Sequence, residues 1–399
     1  MQHSREDHAA RPWRLLPLLI AMTAIGPTTL NIVAPALPGM VTRLGTDAAT
    51  VQLTLSLFLL SLACAQLLLG PLSDRFGRRP VVLAGLALSV VASLAAIFAS
   101  SIEALIAARI IQAAGASTGI VIGRAIIRDL YDRNRAAGMI GLVTTALVIA
   151  PMVSPLVGGI LDTAFGWEAI FVFITLMTGT VLTWAVLMLP ETHHARVSAS
   201  PTALAREWRA LLVNPKFHGY VVAGALGSAP FFTFMGGGPH VVITLMGRSS
   251  AEYGVWFALS SFGYMMGNFT VSRLAQRVSL DTMIMAGLAL SVVGACLTAA
   301  LLMQWPNGGP ATVFLPQFLI SYGNGLLLPN AIAGAVSLRP EAAGTAAGLT
   351  GFTQMGTGAA ATQAISMLLA GSSSAMPMAW MMLGILIVAL VLFQVLSRR

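Results

Sequence analysis

Charge is what this chain has least of. Asp, Glu, Lys and Arg make up only 9% of its 399 residues, against about a quarter of a soluble domain. With 57% hydrophobic residues, the folded chain would expose apolar patches larger than water-soluble monomers carry. Its solvent is a lipid bilayer. Cysteine is nearly absent: Cys64 and Cys296 both fall inside apolar runs, which excludes a disulfide framework. No G-x-x-x-x-G-K-[ST] loop is present, so ATP does not power the protein through this chain. H-E-x-x-H is also missing, as are a G-x-S-x-G placed at a cavity and a pair of acids facing each other at helical spacing. These gaps exclude an intramembrane enzyme. The histidines are scattered except His193-His194, whose spacing does not suit a closed metal site. No metal or other cofactor is expected.

What is present is a series of twelve apolar runs, near 14–37, 51–71, 80–99, 102–124, 136–161, 168–189, 217–240, 253–272, 281–303, 311–335, 343–370 and 376–396. Lipid offers backbone groups no partners, so only helices or closed barrels can cross it. The alternating ten-residue pattern of a barrel is absent. An all-α membrane protein of twelve transmembrane helices follows. Arg5, Arg11 and Arg14 precede the first run, but no A-x-A-like cleavage site follows, so that run reads as a retained helix.

The net charge of +8 does not indicate nucleic acid, because the basic residues sit in short connections. With both termini cytoplasmic, 19 of the 22 Lys and Arg face the cytoplasm, as the positive-inside rule requires. Arg43 and Arg248 lie outside, and Arg109 lies within a span. The longest connection, residues 190–216, divides the chain into a six-helix bundle over 14–189 and a second over 217–396. Short tails cover 1–13 and 397–399. Thr202–Leu212 is expected to form an interfacial helix, with Leu204, Trp208, Leu211 and Leu212 on one side. A faint repeat supports the division: Arg273 and Arg277 follow span 8 as Arg75 and Arg79 follow span 2.

The connection after span 2 reads Gly70-Pro71-Leu72-Ser73-Asp74-Arg75-Phe76-Gly77-Arg78-Arg79. It resembles the loop between spans 2 and 3 of the major facilitator superfamily, G-x-L-x-D-R-x-G-R-[RK]. The resemblance implies two pseudo-symmetric six-helix bundles with a cavity near the midplane, in a carrier that works by alternating access as a monomer. It also implies that Asp74 docks near the N-terminus of span 11, where the helix dipole favours an anion. Arg75 would pair with an acid near the end of span 4, for which Asp129 stands. Gly70 would permit close helix approach and Gly77 a tight turn. A loop that only sets orientation is the alternative.

Further motifs narrow the likeness. Arg109-Ile-Ile-Gln112-Ala-Ala-Gly115 resembles the family's R-x-x-Q-G/A-x-G pattern. Arg109 either tunes a proton- or substrate-binding group or snorkels to the interface. Ala150-Pro151-Met152-Val153-Ser154-Pro155-Leu156-Val157-Gly158-Gly159 is similar to the antiporter motif G-P-x-x-G-P-x-x-G-G, with Ala150 and Ser154 in place of two glycines. A generic kinked helix is the alternative. Arg124 to Tyr131, Leu189-Pro190-Glu191-Thr192 and Leu328-Pro329-Asn330 are similar to the Bcr/CflA drug-resistance transporters of bacterial inner membranes. The resemblance implies drug efflux in exchange for protons.

One departure stands out. Where that branch commonly carries an acid in span 1, this chain has Asn31. Asparagine hydrogen-bonds but does not exchange protons. No Asp or Glu lies near the middle of any span; Glu103, Asp162, Glu168, Glu252 and Glu341 lie near span ends. Proton coupling is left to one of these, to Asp74 or Asp129, or to His240, which titrates near neutrality or is simply an interfacial polar residue. The fold places the substrate cavity among Thr28, Asn31, Arg109, Gln112, Phe231, Phe234, Tyr264, Asn324 and Gln354. Without a central acid, a neutral or zwitterionic drug-like substrate is expected rather than a strongly cationic one. An uncoupled facilitator or a metabolite exporter is the second reading.

Overall fold

The computed structural model describes residues 12–131, 133–192, 209, 211–306, 308–339 and 343–397. The expected interfacial helix at 202–212 lies mostly outside the described residues, as do nearly all of the first tail and 398–399.

Twelve helical segments match the twelve apolar runs. α1, Pro12–Asn31, continues through a 3-10 turn at Ala34–Ala36 into a short helix, Leu37–Arg43. The prolines at 35 and 38 explain the break, since each lacks the N–H that a continuous helix needs. α2 is Ala48–Phe76 and α3 is Arg78–Ile97. α4 runs from Ile102–Ala116 into Thr118–Leu130. α5 is Arg133–Phe165 and α6 Glu168–Met188. α7, Pro215–Pro239, passes into a π-helical turn at His240–Leu245. α8 is Ser250–Leu274, α9 Leu280–Gln304, α10 Ala311–Ser337, α11 Ala343–Leu369 and α12 Met376–Ser397.

Many helix starts are written into the sequence as caps. Asp47, Ser101, Ser249 and Ser279 each accept a hydrogen bond from a first-turn amide of the helix that follows.

Helices α1–α6 pack together and α7–α12 pack together; the two groups meet along α5–α8 and along α2–α11. Among the described residues, nine helices are long and apolar enough to cross a membrane by length and mean hydropathy. α8 and α11 are the less apolar of the helices that meet the other half; their Ser, Thr, Gly and Gln pack against α5 and α2, so lower hydropathy marks these sides of the seams.

The alternation of helices gives two faces. The basic face carries Arg75, Arg78, Arg79, Arg124, Arg128, Arg273 and Arg277. The opposite, far face carries the junctions at 43–48, 165–168, 245–250 and 369–376. One apolar cluster draws on both halves near the far face, joining Leu30, Ile32, Leu55 and Phe171 to Phe232, Met235 and Ala361.

Candidate functional site

The halves are tied by side chains at the far face. On the α2–α11 seam, the Gln363 amide donates to the Ala49 carbonyl at 2.9 Å and accepts from Ser56 at 2.9 Å. Ser366 donates to the Ala48 carbonyl at 3.1 Å. On the α5–α8 seam, Ser250 Oγ lies 2.6 Å from Asp162 Oδ2 and 3.0 Å from the Pro35 carbonyl oxygen. The Ala251 amide donates to Thr163 at 3.2 Å.

The antiporter-like segment builds this second seam. Pro155 has no N–H to offer the carbonyl one turn back, at Pro151. Ser261 of α8 donates to that carbonyl instead, at 3.3 Å. Ser154 donates to the Ala150 carbonyl within α5. Gly158 packs against the Ile32 carbonyl just after α1, and Gly159 against the Ser250 carbonyl of α8. Neither position has room for a methyl group.

The basic-face loop forms a cluster within one half. Gly77 adopts φ +98°, which separates α2 from α3 and which L side chains rarely adopt. The turn brings Arg78, nearly buried, against two acids: Nε donates to Asp129 Oδ2 at 3.0 Å and Nη1 to Asp74 Oδ1 at 2.5 Å. Arg78 also donates to Ser73 Oγ at 2.6 Å. The Glu191 carboxylate accepts from the amides of Arg78 and Arg79 at 2.9 and 3.1 Å. It thereby caps the N-terminus of α3, where the helix dipole welcomes an anion. Arg79 reaches the Val186 carbonyl at 3.0 Å.

Two expectations change here. Asp129 meets Arg78 rather than Arg75, whose guanidinium lies over the Phe76 ring, 5.2 Å from its centroid. The reason is the Gly77 turn: Arg78 starts a new helix and points back, while Arg75 ends the old one. Nor does Gly70 serve close approach, since a Cβ there would meet nothing within 4 Å. Asp74 bonds to Arg78, and the residues just before α11, 340–342, lie outside the described ones.

Arg78→Ala would leave two carboxylates facing each other without their shared cation. A stability loss on the order of 2 kcal/mol is expected, below the full figure for a buried pair because Asp74 is partly exposed. Arg75→Ala should leave thermal unfolding in detergent near wild type. Equal losses in the two variants would reject this assignment.

Arg109 and Gln112 stand inside the N-terminal half, both with no exposed surface. Arg109 donates to the Thr54 carbonyl at 3.3 Å, the Thr29 carbonyl at 3.1 Å and Gln112 Oε1 at 2.5 Å. Its guanidinium lies over Phe58, 4.1 Å from the ring centroid. Gln112 in turn donates to Ser93 at 2.6 Å. This network joins α1, α2, α3 and α4. Snorkelling does not occur.

The remaining cavity candidates separate. Phe234 is core of the C-terminal half, 5.1 Å from Phe314 between ring centroids. Phe231 packs against apolar clusters of both halves. Thr28 and Gln354 are buried and Tyr264 is half-buried. Asn31 donates to the Pro27 carbonyl at 2.8 Å, but its Oδ1 has no partner. Asn324 Oδ1 and both amide atoms of Gln317, on α10, are likewise buried and unpartnered. Such atoms cost roughly 1–3 kcal/mol each unless something fills them.

His240 lies elsewhere. It lines a far-face cavity of about 200 Å³ between the halves, with Leu37, Val51, Gln52, Pro239 and Leu369. His240 Nε2 and Gln52 Nε2 are buried there without partners. The sequence reading missed Gln52, Ser250 and Gln363, because a polar residue near a span end looks like any interfacial residue until the opposite half is placed against it.

Comparison with known proteins is consistent across sequence and structure. The pattern described as Major Facilitator Superfamily matches residues 19–362. "Multidrug resistance protein D" of Escherichia coli is 32% identical over 347 residues, 85% of each chain. "Chloramphenicol resistance protein" of Pseudomonas aeruginosa is 32% identical over 318 residues, 79% of this chain and 72% of that one. "Bicyclomycin resistance protein homolog" of Haemophilus influenzae is 28% identical over 344 residues, 85% of each. A solved bacterial homolog of the human lysosomal transporter Spinster, inward-facing and unoccupied, superposes with TM-score 0.75 at 16% identity over 98% of each chain.

Proposed function

Because the chain belongs to the Major Facilitator Superfamily of transporters, we propose that it exports drugs or small amphipathic metabolites by alternating access, in exchange for protons. The observation that carries this reading is the asymmetry of its polar contacts. Among the described residues, bonds between the halves gather at the far face, whereas the charged cluster of the basic face bonds within one half. Such a carrier is shut on one side.

The basic face is the cytoplasmic one by the positive-inside rule, so both termini are cytoplasmic and the far face is periplasmic. The membrane is a bacterial inner membrane. One chain holds both halves of the cavity and acts as a monomer. The unpartnered Asn31 and Asn324 oxygens suit a neutral or zwitterionic ligand with a donor group. Relatives named for resistance to chloramphenicol and bicyclomycin fit that chemistry. Asn31 in place of an acid supports a second reading, an uncoupled facilitator or metabolite exporter.

Inside-out vesicles with an acidic lumen and a pH-sensitive dye test the exchange. Phenicols and bicyclomycin are expected to discharge the gradient, and a permanently dicationic drug is not. A folded protein that binds a phenicol yet moves no protons would establish the uncoupled reading.

A further inference from the structure

The Ser250 hydroxyl lies within hydrogen-bond distance of two oxygens, Asp162 Oδ2 at 2.6 Å and the Pro35 carbonyl at 3.0 Å. A hydroxyl has one hydrogen to give. If Asp162 is ionised, three oxygens share that single hydrogen, and only one of the two contacts is a hydrogen bond at any moment. If Asp162 carries a proton, the count closes. The carboxyl O–H donates to Ser250 Oγ, and the Ser250 hydrogen goes to Pro35.

We propose that Asp162 is a proton-binding residue of the transport cycle, whose protonation completes an Asp162–Ser250–Pro35 chain and seals the far face. The chain joins three pieces: the end of α5, the first turn of α8 and the 3-10 turn after α1. It therefore spans both halves. This inference rests on the proton-exchange reading and gives it an outer latch: the proton that Asp162 takes up on closing returns to the periplasm when the seam reopens, so the site times the cycle and another group carries the exchanged proton inward.

The surroundings leave the decision to the proton. Arg43 and Glu168 both face Asp162, their fields oppose each other, and they lie 3.9 Å apart as a pair. At the start of α8, Arg248 of the preceding junction and Glu252 approach within 4.0 Å of each other. Neither pair supplies a net charge to hold one form. Asp162 itself is half-buried in the seam, and Gly39 lies beside its other oxygen. When the seam opens, the carboxylate meets the periplasm and can take up a proton. One proton is bound per closure, from Asp162–COO⁻ and H⁺ to Asp162–COOH, with no other reactant. Closure on the outside upon protonation is the direction a drug–proton exchanger requires, since the carrier then turns inward to collect its drug.

Linkage fixes the sign. The proton favours the closed form, so closure is complete at low pH and is lost as pH rises. For one linked proton the open-to-closed ratio rises by at most about tenfold per pH unit.

The test uses the full chain in nanodiscs, with Cys64 and Cys296, both exposed, replaced by serine. Spin labels at Ser100→Cys and Ser373→Cys, exposed far-face positions on opposite halves, report the opening by electron–electron distance measurement. The wild-type background should shift from short to long distances between pH 5 and 8.5. Asp162→Asn keeps a donor toward Ser250 and should stay short across the range. Ser250→Ala breaks the chain and should be long and insensitive to pH. An Asp162→Asn protein that follows the wild-type pH curve would overturn the proposal, as would a wild type whose distances ignore pH. If the distances respond as expected but the vesicle assay finds no substrate-driven proton flux, the exchange reading fails and the proton site stands.

Discussion

Adding one methyl group at Gly159 is expected to shift the far face toward the open form and to cut transport roughly fivefold or more. The argument is geometric. A Cβ at Gly159 would fall on the Ser250 carbonyl oxygen, with the Ala251 Cα 3.0 Å away. These are backbone atoms of the opposite half, so no rotamer change relieves the overlap. From the other side, a Cβ at Gly254 would lie 2.5 Å from the Pro155 carbonyl oxygen. α5 and α8 thus touch backbone to backbone, the approach that small residues allow between membrane helices. Overpacking costs about 1–3 kcal/mol. Because this contact exists only while the seam is closed, the cost falls on the closed state alone. A shift of that size changes the closed-to-open ratio by roughly 5–150-fold.

Its neighbour makes the control. A Cβ at Gly158 would fall on the Ile32 carbonyl oxygen, inside the N-terminal half. That contact persists through the cycle, so Gly158→Ala should lower thermal stability without biasing the distance between labels at 100 and 373. Gly159→Ala should do the reverse, lengthening the distance with little change in unfolding. If Gly159→Ala gives the wild-type distance distribution, α5–α8 contact is not the closure contact.

The same pair of glycines shows what could be read beforehand. The motif over 150–159 was legible as a close-packing, proline-bearing helix, since its residue types alone dictate that. Which glycine faces which helix was not, because successive residues point about 100° apart and the rotation of α5 is set by packing. The loop at 70–79 behaves the same way. Its charges and its glycine turn were plain, yet the partner of Asp129 depended on the direction in which the chain leaves Gly77. The twelve spans were fully legible, including α8 and α11, whose lower hydropathy comes from facing the other half. Ser250 and Asp162 were not legible as a pair, because 88 residues separate them in sequence and no local pattern joins them.

Arg109 carries the other large expectation. With snorkelling excluded by its full burial, Arg109 is either a cavity residue or an interior post, and the two make different predictions. As an interior post, Arg109 holds two backbone carbonyls and the Gln112 amide oxygen. Arg109→Ala would take a donor from each of these three acceptors, strip the cation from the Phe58 face, and open a void the size of a long side chain. A wholly unmet buried acceptor costs about 1–3 kcal/mol in a soluble core, but hydrogen bonds inside membrane bundles average about 0.6 kcal/mol. The lost cation–π contact adds up to about 2 kcal/mol. A total loss on the order of 3–4 kcal/mol is expected, a large fraction of a typical folding free energy. Unfolding in mixed detergent should move to markedly milder conditions, and drug binding should be lost only in proportion to the unfolded fraction. Arg109→Lys should recover part of the stability, since an ammonium can reach one carbonyl but cannot span three acceptors as the planar guanidinium does. An Arg109→Ala protein that unfolds like wild type while losing drug affinity would place the guanidinium in the transport pathway, and its unpartnered Nη2 would then be the contact offered to the substrate.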